Sequence, residues 1–237
     1  MLYSARMAPA NDESASALQE DIPRRPGGRV ERRKARTRRS LLAASRHLFA
    51  ARGVEHTAIA DIAEHADIAI GSFYNYFTTK AELLDALIDD SLSEQLRLLQ
   101  RRQALLSDPA EKISVAHRHL VRVARTDPDW AWLLVRLEFP RRIARFVLGD
   151  AARRDLFAGI RAGRFQVANP ALALNASGGA LLAVIHAQLV GEGSGSADSE
   201  HAEGVLRSFG LDQVEAAVIA RRPLPEVRDV SAEGMPR

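Results

Sequence analysis

The 237-residue chain is 46% hydrophobic but only 5% aromatic, carries a net charge of +3 and contains no cysteine. That apolar content excludes global disorder, and few aromatics beside abundant Ala and Leu favour helix over sheet. The missing cysteines remove disulfides, Cys-based zinc sites and thiol chemistry together, as in a protein of the reducing cytoplasm.

The charge is unevenly placed. Residues 1–39 hold ten Lys/Arg against five Asp/Glu, and Arg24 to Arg39 alone holds nine basic residues opposed only by Glu31. A basic run beside a folded unit suggests a polyanion partner, although a solvated tail has the same composition. Residues 1–33 lack an apolar period and read as a disordered basic arm. Residues 1–23 also lack the apolar core of a secretory signal.

Further along, a helical period starts near Lys34, where Leu41 and Leu48, and Leu42 and Phe49, form one stripe. Gly53 stands where a helix-ending glycine belongs, and Thr57 is placed to cap a second short helix containing Ile59, Ile62 and Ala63. A tight turn at Ala66-Asp67-Ile68 leads to a third short helix. "FTTK" then opens a long fourth helix, with Leu83, Leu84, Leu87, Ile88, Leu92, Leu96 and Leu99 at helical spacing as far as Leu106.

Breaks follow at Ser107 to Pro109, Thr126 to Asp129, Phe139-Pro140, Leu148 to Asp150 and Ala168 to Pro170, with helical segments between them. From Gln166 to Gly191 no charged side chain occurs. Asn169, Pro170, Asn175, His186 and Gln188 interrupt that stretch, and no aromatic belt flanks it, so it reads as a buried helix and not a membrane span. The predicted fold is all-α. It comprises a basic arm (1–33), a unit of three helical segments (34–80), a larger helical unit (81–224) and a tail (225–237).

Two short helices joined by a three- or four-residue turn behind a first helix make a helix-turn-helix. Ile62, Ala63, Ala66, Ile68, Phe73 and Phe77 supply its core. Ile70, Ser72, Tyr74, Asn75 and Tyr76 are left to share the remaining surface. Taken together, "FAARGVEHT" (Phe49 to Thr57), "IAEHADI" and "IGSFYNYFTTKAELL" resemble the TetR family of transcriptional regulators over roughly residues 36–90. The joint spacing is specific where a lone helix-turn-helix would not be.

The resemblance implies a third helix in the major groove, with its first residues at base edges. The DNA-contacting set is then Thr57, Ala58, Ala69, Ile70, Gly71, Ser72, Tyr74, Asn75, Tyr76 and Lys80. Ser72 and Asn75 are the direct readers, since an amide can pair bidentately with adenine. Tyr74 faces a thymine methyl or a phosphate, and Tyr76, Lys80 and Thr57 face phosphates, which set register. Two positions depart from the family pattern: Asp67 where Gly is usual in the turn, and Ala69 where Ser or Thr commonly caps the third helix. A shifted start would let Asp67 cap instead.

The family habit gives the larger half an effector pocket and a four-helix homodimer interface. The interface would use the uncharged helix from about Asn169 to Val190 and the helix from about Ser199 to Phe209. For the pocket the sequence offers Trp130, Trp132, Arg136, Phe139, Phe146, Phe157 and His186, with His117, His119 and Glu138 as further polar groups. An aromatic at helical spacing, or a histidine on an apolar helix, is more often core than pocket. No phosphate loop, HExxH, nucleophile elbow or metal-ligand spacing is present, so an enzyme, a cofactor and a metal are not expected.

The expected function is a ligand-released, cytoplasmic repressor that binds a pseudo-palindromic operator as a homodimer. Its partners are double-stranded DNA and a small-molecule effector, with no membrane. The alternatives are an architectural DNA-binding protein or a helical enzyme.

Overall fold

The computed structural model describes residues 27–136 and 150–226. The chain divides into two compact units, Met1–Arg36 and Thr37–Arg237. In the first, the described residues are the opening turns of α1 (Gly27–Arg52), exposed from Arg29 to Arg36. Helix therefore begins at Gly27, upstream of the start read near Lys34. The added residues, Gly27 to Arg33, hold three Arg and one Glu but a single apolar side chain, Val30, and so leave no apolar stripe to read.

In the second unit α1 buries Leu41, Leu42, Ala44, Phe49 and Ala50. It ends where the Gly53 amide bonds the Phe49 carbonyl at 2.9 Å, with Gly53 at φ +84°. This is the left-handed conformation that favours glycine. Short helices α2 (Ile59–His65) and α3 (Ile70–Phe73) follow, then long α4 (Lys80–Gln103). Thr79 caps α4 by accepting from the Glu82 amide at 3.1 Å, while Glu82 accepts from the Thr78 amide at 2.6 Å. That reciprocal pair satisfies two otherwise orphaned donors. Leu41, Leu42, Phe49, Ile62, Phe73, Phe77, Leu83 and Leu87 form one core, with Ala66 and Ile68 packed against it.

The larger half is α5 (Pro109–Thr126), α6 (Pro128–Arg136), α7 (Asp150–Arg161), α8 (Pro170–Leu189), α9 (Ala197–Ser208) and α10 (Gln213–Arg221). Asp108, Asn169 and Asp212 cap α5, α8 and α10 through their side-chain oxygens. Proline follows Asp108 and Asn169 at the first helical position, where a missing N–H costs nothing. Helix α5 is central and packs against α4 and α6 to α10. Its Arg122 holds the buried Asp198 of α9 at 2.6 Å. After α7 the chain turns back tightly, and a Cβ on Gly159 would stand 2.0 Å from the Phe165 ring. Only glycine fits there. No strand occurs among the described residues.

Candidate nucleic-acid interface and effector cavity

Ile62, Phe73 and Phe77 are at most 3% exposed, and the apolar side of the helix-turn-helix is thereby fixed inward. The opposite side carries Ile70 at 52% exposure and Tyr74 at 56%, with Ala58, Ala69, Gly71 and Asn75 also exposed. Ser72 and Tyr76 are half-buried. Helix α3 is one turn long, but hydrogen bonds from the Asn75 and Tyr76 amides to the Ser72 and Phe73 carbonyls carry the turn onward, so Ser72 and Asn75 share a ridge.

The turn before α3 holds Asp67 at φ +56°, the left-handed conformation tolerated by Asp better than by most residues. Ala69 is the N-cap residue and offers no side-chain bond. The shifted start with an Asp67 cap is therefore not what forms.

Two expectations for Thr57 need correction, and Lys80 gains a structural role. Thr57 is 1% exposed and its hydroxyl donates to the Gly53 carbonyl at 2.8 Å, so it neither caps α2 nor presents its side chain to a phosphate. The N-cap is Ala58, whose amide is satisfied by Asp61 at 3.1 Å. Lys80 donates through Nζ to the Val54 and Thr57 carbonyls at 2.8 and 3.1 Å. Two of its three donors thus tie the α1–α2 loop to the start of α4. Its first role is to position that loop.

The pocket expectation changes more. A cavity of about 350 Å³ opens among α4, α5, α7 and α8. Gln95, Leu96, Leu99, Gln103, His117, Leu120, Asp155, Leu174, Ser177, Leu181 and Phe209 line it. The volume lies at the small end of the roughly 300–1,000 Å³ usual for ligand sites. Of the expected pocket residues within the described chain, only His117 is on its wall.

Trp130 is instead buried core, donating to the Ser91 carbonyl at 3.3 Å, and Phe157 is 40% exposed. Trp132 stacks edge-on with His186 at 5.8 Å, and Arg136 lies over its ring at 4.6 Å, so these three form a cluster elsewhere. Phe139, Phe146 and Glu138 lie outside the described residues. Of the histidines, His117 does line the cavity.

The cavity's polar groups are held from behind. His117 Nδ1 lies 2.9 Å from His201 Nε2 across α5 and α9. Burial, and secondarily the neighbouring ring, depress the His117 pKa to about 3, while burial takes His201 to about 4. Both are neutral at pH 7. His119 meets Arg102 at 3.2 Å through Nδ1 and Gln95 Oε1 at 3.1 Å through Nε2. Arginine can only donate, so Nδ1 accepts and Nε2–H donates to Gln95. Burial, then the Arg102 charge, brings His119 to about 4. Gln103 donates to Asp155 Oδ2 at 3.2 Å, and burial pushes the Asp155 carboxyl above its ordinary range.

Two family models match this chain. Residues 41–87 fit the one described as bacterial regulatory proteins, tetR family, and residues 108–222 fit the tetracyclin repressor-like C-terminal domain. The solved structure of RolR in complex with resorcinol is 36% identical, covering 82% of this chain and 98% of RolR at a TM-score of 0.65.

The chain belongs to the TetR family.

Curated relatives match over shorter stretches. The regulator TtgR of Pseudomonas putida is 41% identical over 61 residues, 26% of this chain and 29% of its own length. The repressor KstR2 of Mycolicibacterium smegmatis is 29% identical over 108 residues, covering 42% of this chain and 49% of KstR2. This chain thus aligns with less than half of either relative. The TetR helix-turn-helix was readable because its motifs are local. The cavity groups were not, because His117 and His201, and Gln103 and Asp155, come together from distant stretches of chain.

Proposed function

We propose that this TetR-family chain is a cytoplasmic transcriptional regulator. It binds a pseudo-palindromic operator as a homodimer and releases it when a small effector fills the cavity. The observation that carries the reading is the α3 ridge. Ser72, Tyr74 and Asn75 stand over a closed core, with Asn75 and Tyr74 exposed and no internal hydrogen bond to either side chain among the described residues. An exposed amide on the first turns of a recognition helix suits adenine, and Ile70 suits a thymine methyl.

Helix α8 supports the dimer. By length and composition it would pass for a membrane span, yet it packs on α5, α6, α7 and α9. Its outward face presents Leu172, Ala176, Gly179, Ala180 and Ala183, small or apolar residues at helical spacing, together with polar Asn175 and His186. Such a face suits close pairing with a second copy, which also supplies the two half-sites that specificity requires.

The effector would act through α4. Leu83 and Leu87 at its start belong to the DNA-binding core, and Gln95 to Gln103 near its end line the cavity. The resorcinol held by RolR supports an effector of that size. Selecting bound fragments from a random DNA pool, with and without resorcinol and other small metabolites, tests the reading. A single palindromic motif, lost with one added compound, is expected. Scattered coverage of unrelated fragments would favour an architectural protein instead.

A further inference from the structure

We infer that the cavity takes an uncharged ring carrying at least two hydroxyl groups, recognised by Gln95, Asp155 and the His117–His201 pair. This rests on the cavity being the effector site.

The side walls are apolar, with Leu96, Leu120, Leu181 and Phe209 placed to pack a ring. Three polar groups on the wall, Gln95, Asp155 and His117, each have one atom already committed and another left over. The Gln95 carbonyl oxygen accepts from His119, so its amide nitrogen remains as a donor. Asp155 Oδ2 is taken by Gln103, and Oδ1 remains as an acceptor. His117 uses Nδ1 against His201, and among the described residues Nε2 has no partner.

The histidine pair adds a second property. If His117 donates to His201, its Nε2 accepts from the ligand. If His201 donates, His117 Nε2–H donates to the ligand. The two arrangements differ only in where protons sit on two neutral rings, so His117 can serve either face of a hydroxyl without charging. A hydroxyl is likewise both donor and acceptor, and one such group fits His117. A second hydroxyl can donate to Asp155 or accept from Gln95.

The charge pattern disfavours an anion. Asp155 is half-buried, whereas Arg154, the cavity's cationic lining residue among those described, is exposed. A carboxylate entering would meet a like charge and no buried cation.

Calorimetric titration of the full chain, without DNA, tests the inference. The panel is the three neutral dihydroxybenzenes, cyclohexane-1,3-diol, benzoate and 3-hydroxybenzoate. At least one neutral diol should bind, and each carboxylate should bind about tenfold or more weakly. His117→Phe and Gln95→Leu should each lose about tenfold for that diol, the worth of one hydrogen bond to a desolvated group. His201→Gln, which can still pair with His117, should lose less.

Imidazole nitrogen-15 shifts of the unsubstituted protein give a readout that needs no variant to fold. Those of His117 should move on binding, and those of His201 with them. Tight binding of the carboxylates, no binding of any neutral diol at millimolar concentration, or histidine shifts that stay fixed at saturation would overturn the inference. Operator release is scored separately. A diol that binds without releasing DNA defeats the effector reading and leaves the ligand class standing. A carboxylate that both binds and releases DNA does the reverse.

Discussion

Lys80 shows how one side chain can carry a role that its sequence position does not suggest. Its position before a long helix suits a phosphate contact, yet its ammonium closes the α1–α2 loop through two carbonyls. Lys80→Met keeps the stem and removes both bonds. It should lower unfolding free energy by about 1–3 kcal/mol, the range for hydrogen bonds to a charged group. Urea denaturation measures this, and an unchanged midpoint would show the bonds to be idle. Asp67 carries the converse case. At φ +56° it costs little, but a β-branched residue would be strained there. Asp67→Val should destabilise by roughly 1–2 kcal/mol, while Asp67→Gly should be neutral or stabilising.

At the scale of elements, the sequence was most legible where signals are local. Gly53, the Ile62–Phe77 core and the cap-and-proline starts of α5 and α8 all lie within a few residues of what they organise. The start of α1 was missed because an exposed basic helix has no period. The cavity was missed because Trp130 and Phe157 occupy helical positions that look alike in sequence, and only tertiary packing buries one and exposes the other.

That packing also encloses three neutral histidines, His119 buried and His117 and His201 half-buried, which sets an acid limit on the α5–α9 packing. Their folded pKa values, about 3 for His117 and about 4 for His119 and His201, lie below the ordinary 6.5. Below pH 6.5 the unfolded chain takes up protons that the folded chain refuses, so stability falls as pH drops from 6.5 toward 4. The slope approaches about 1.4 kcal/mol per pH unit for each histidine. Denaturation at pH 7.5 and pH 5 should show the loss, and His119→Gln should reduce it. The α8 face makes a separate prediction. Ala180→Arg places a charge in the middle of the proposed dimer seam and should yield monomers in sedimentation, with helix content unchanged.

Across the molecule, two routes join the cavity to the DNA-binding end. One is α4, about 36 Å long at 1.5 Å per residue, which enters both. The other is α6. Its Leu133 belongs to the DNA-binding core, and the residues at its start meet α1 through the Arg46–Asp127 ion pair and a 3.1 Å contact of His47 with Asp129. Helix α6 also packs on α8, whose Leu181 lines the cavity. An effector that reshapes the cavity can therefore bias the tilt of the reading heads from two sides. Asp127→Ala should leave operator and effector binding each within a few-fold, yet reduce their coupling by roughly 0.5–2 kcal/mol. Operator titrations with and without saturating effector measure it.

A regulator built this way must read bases with the α3 ridge. Fluorescence anisotropy titrations of the protein and of Asn75→Ala, on the selected operator and on random DNA at several salt concentrations, address this most directly. Asn75→Ala should lose about 1–3 kcal/mol on the operator and almost nothing on random DNA, with the salt slope preserved. An equal loss on both DNAs would contradict it.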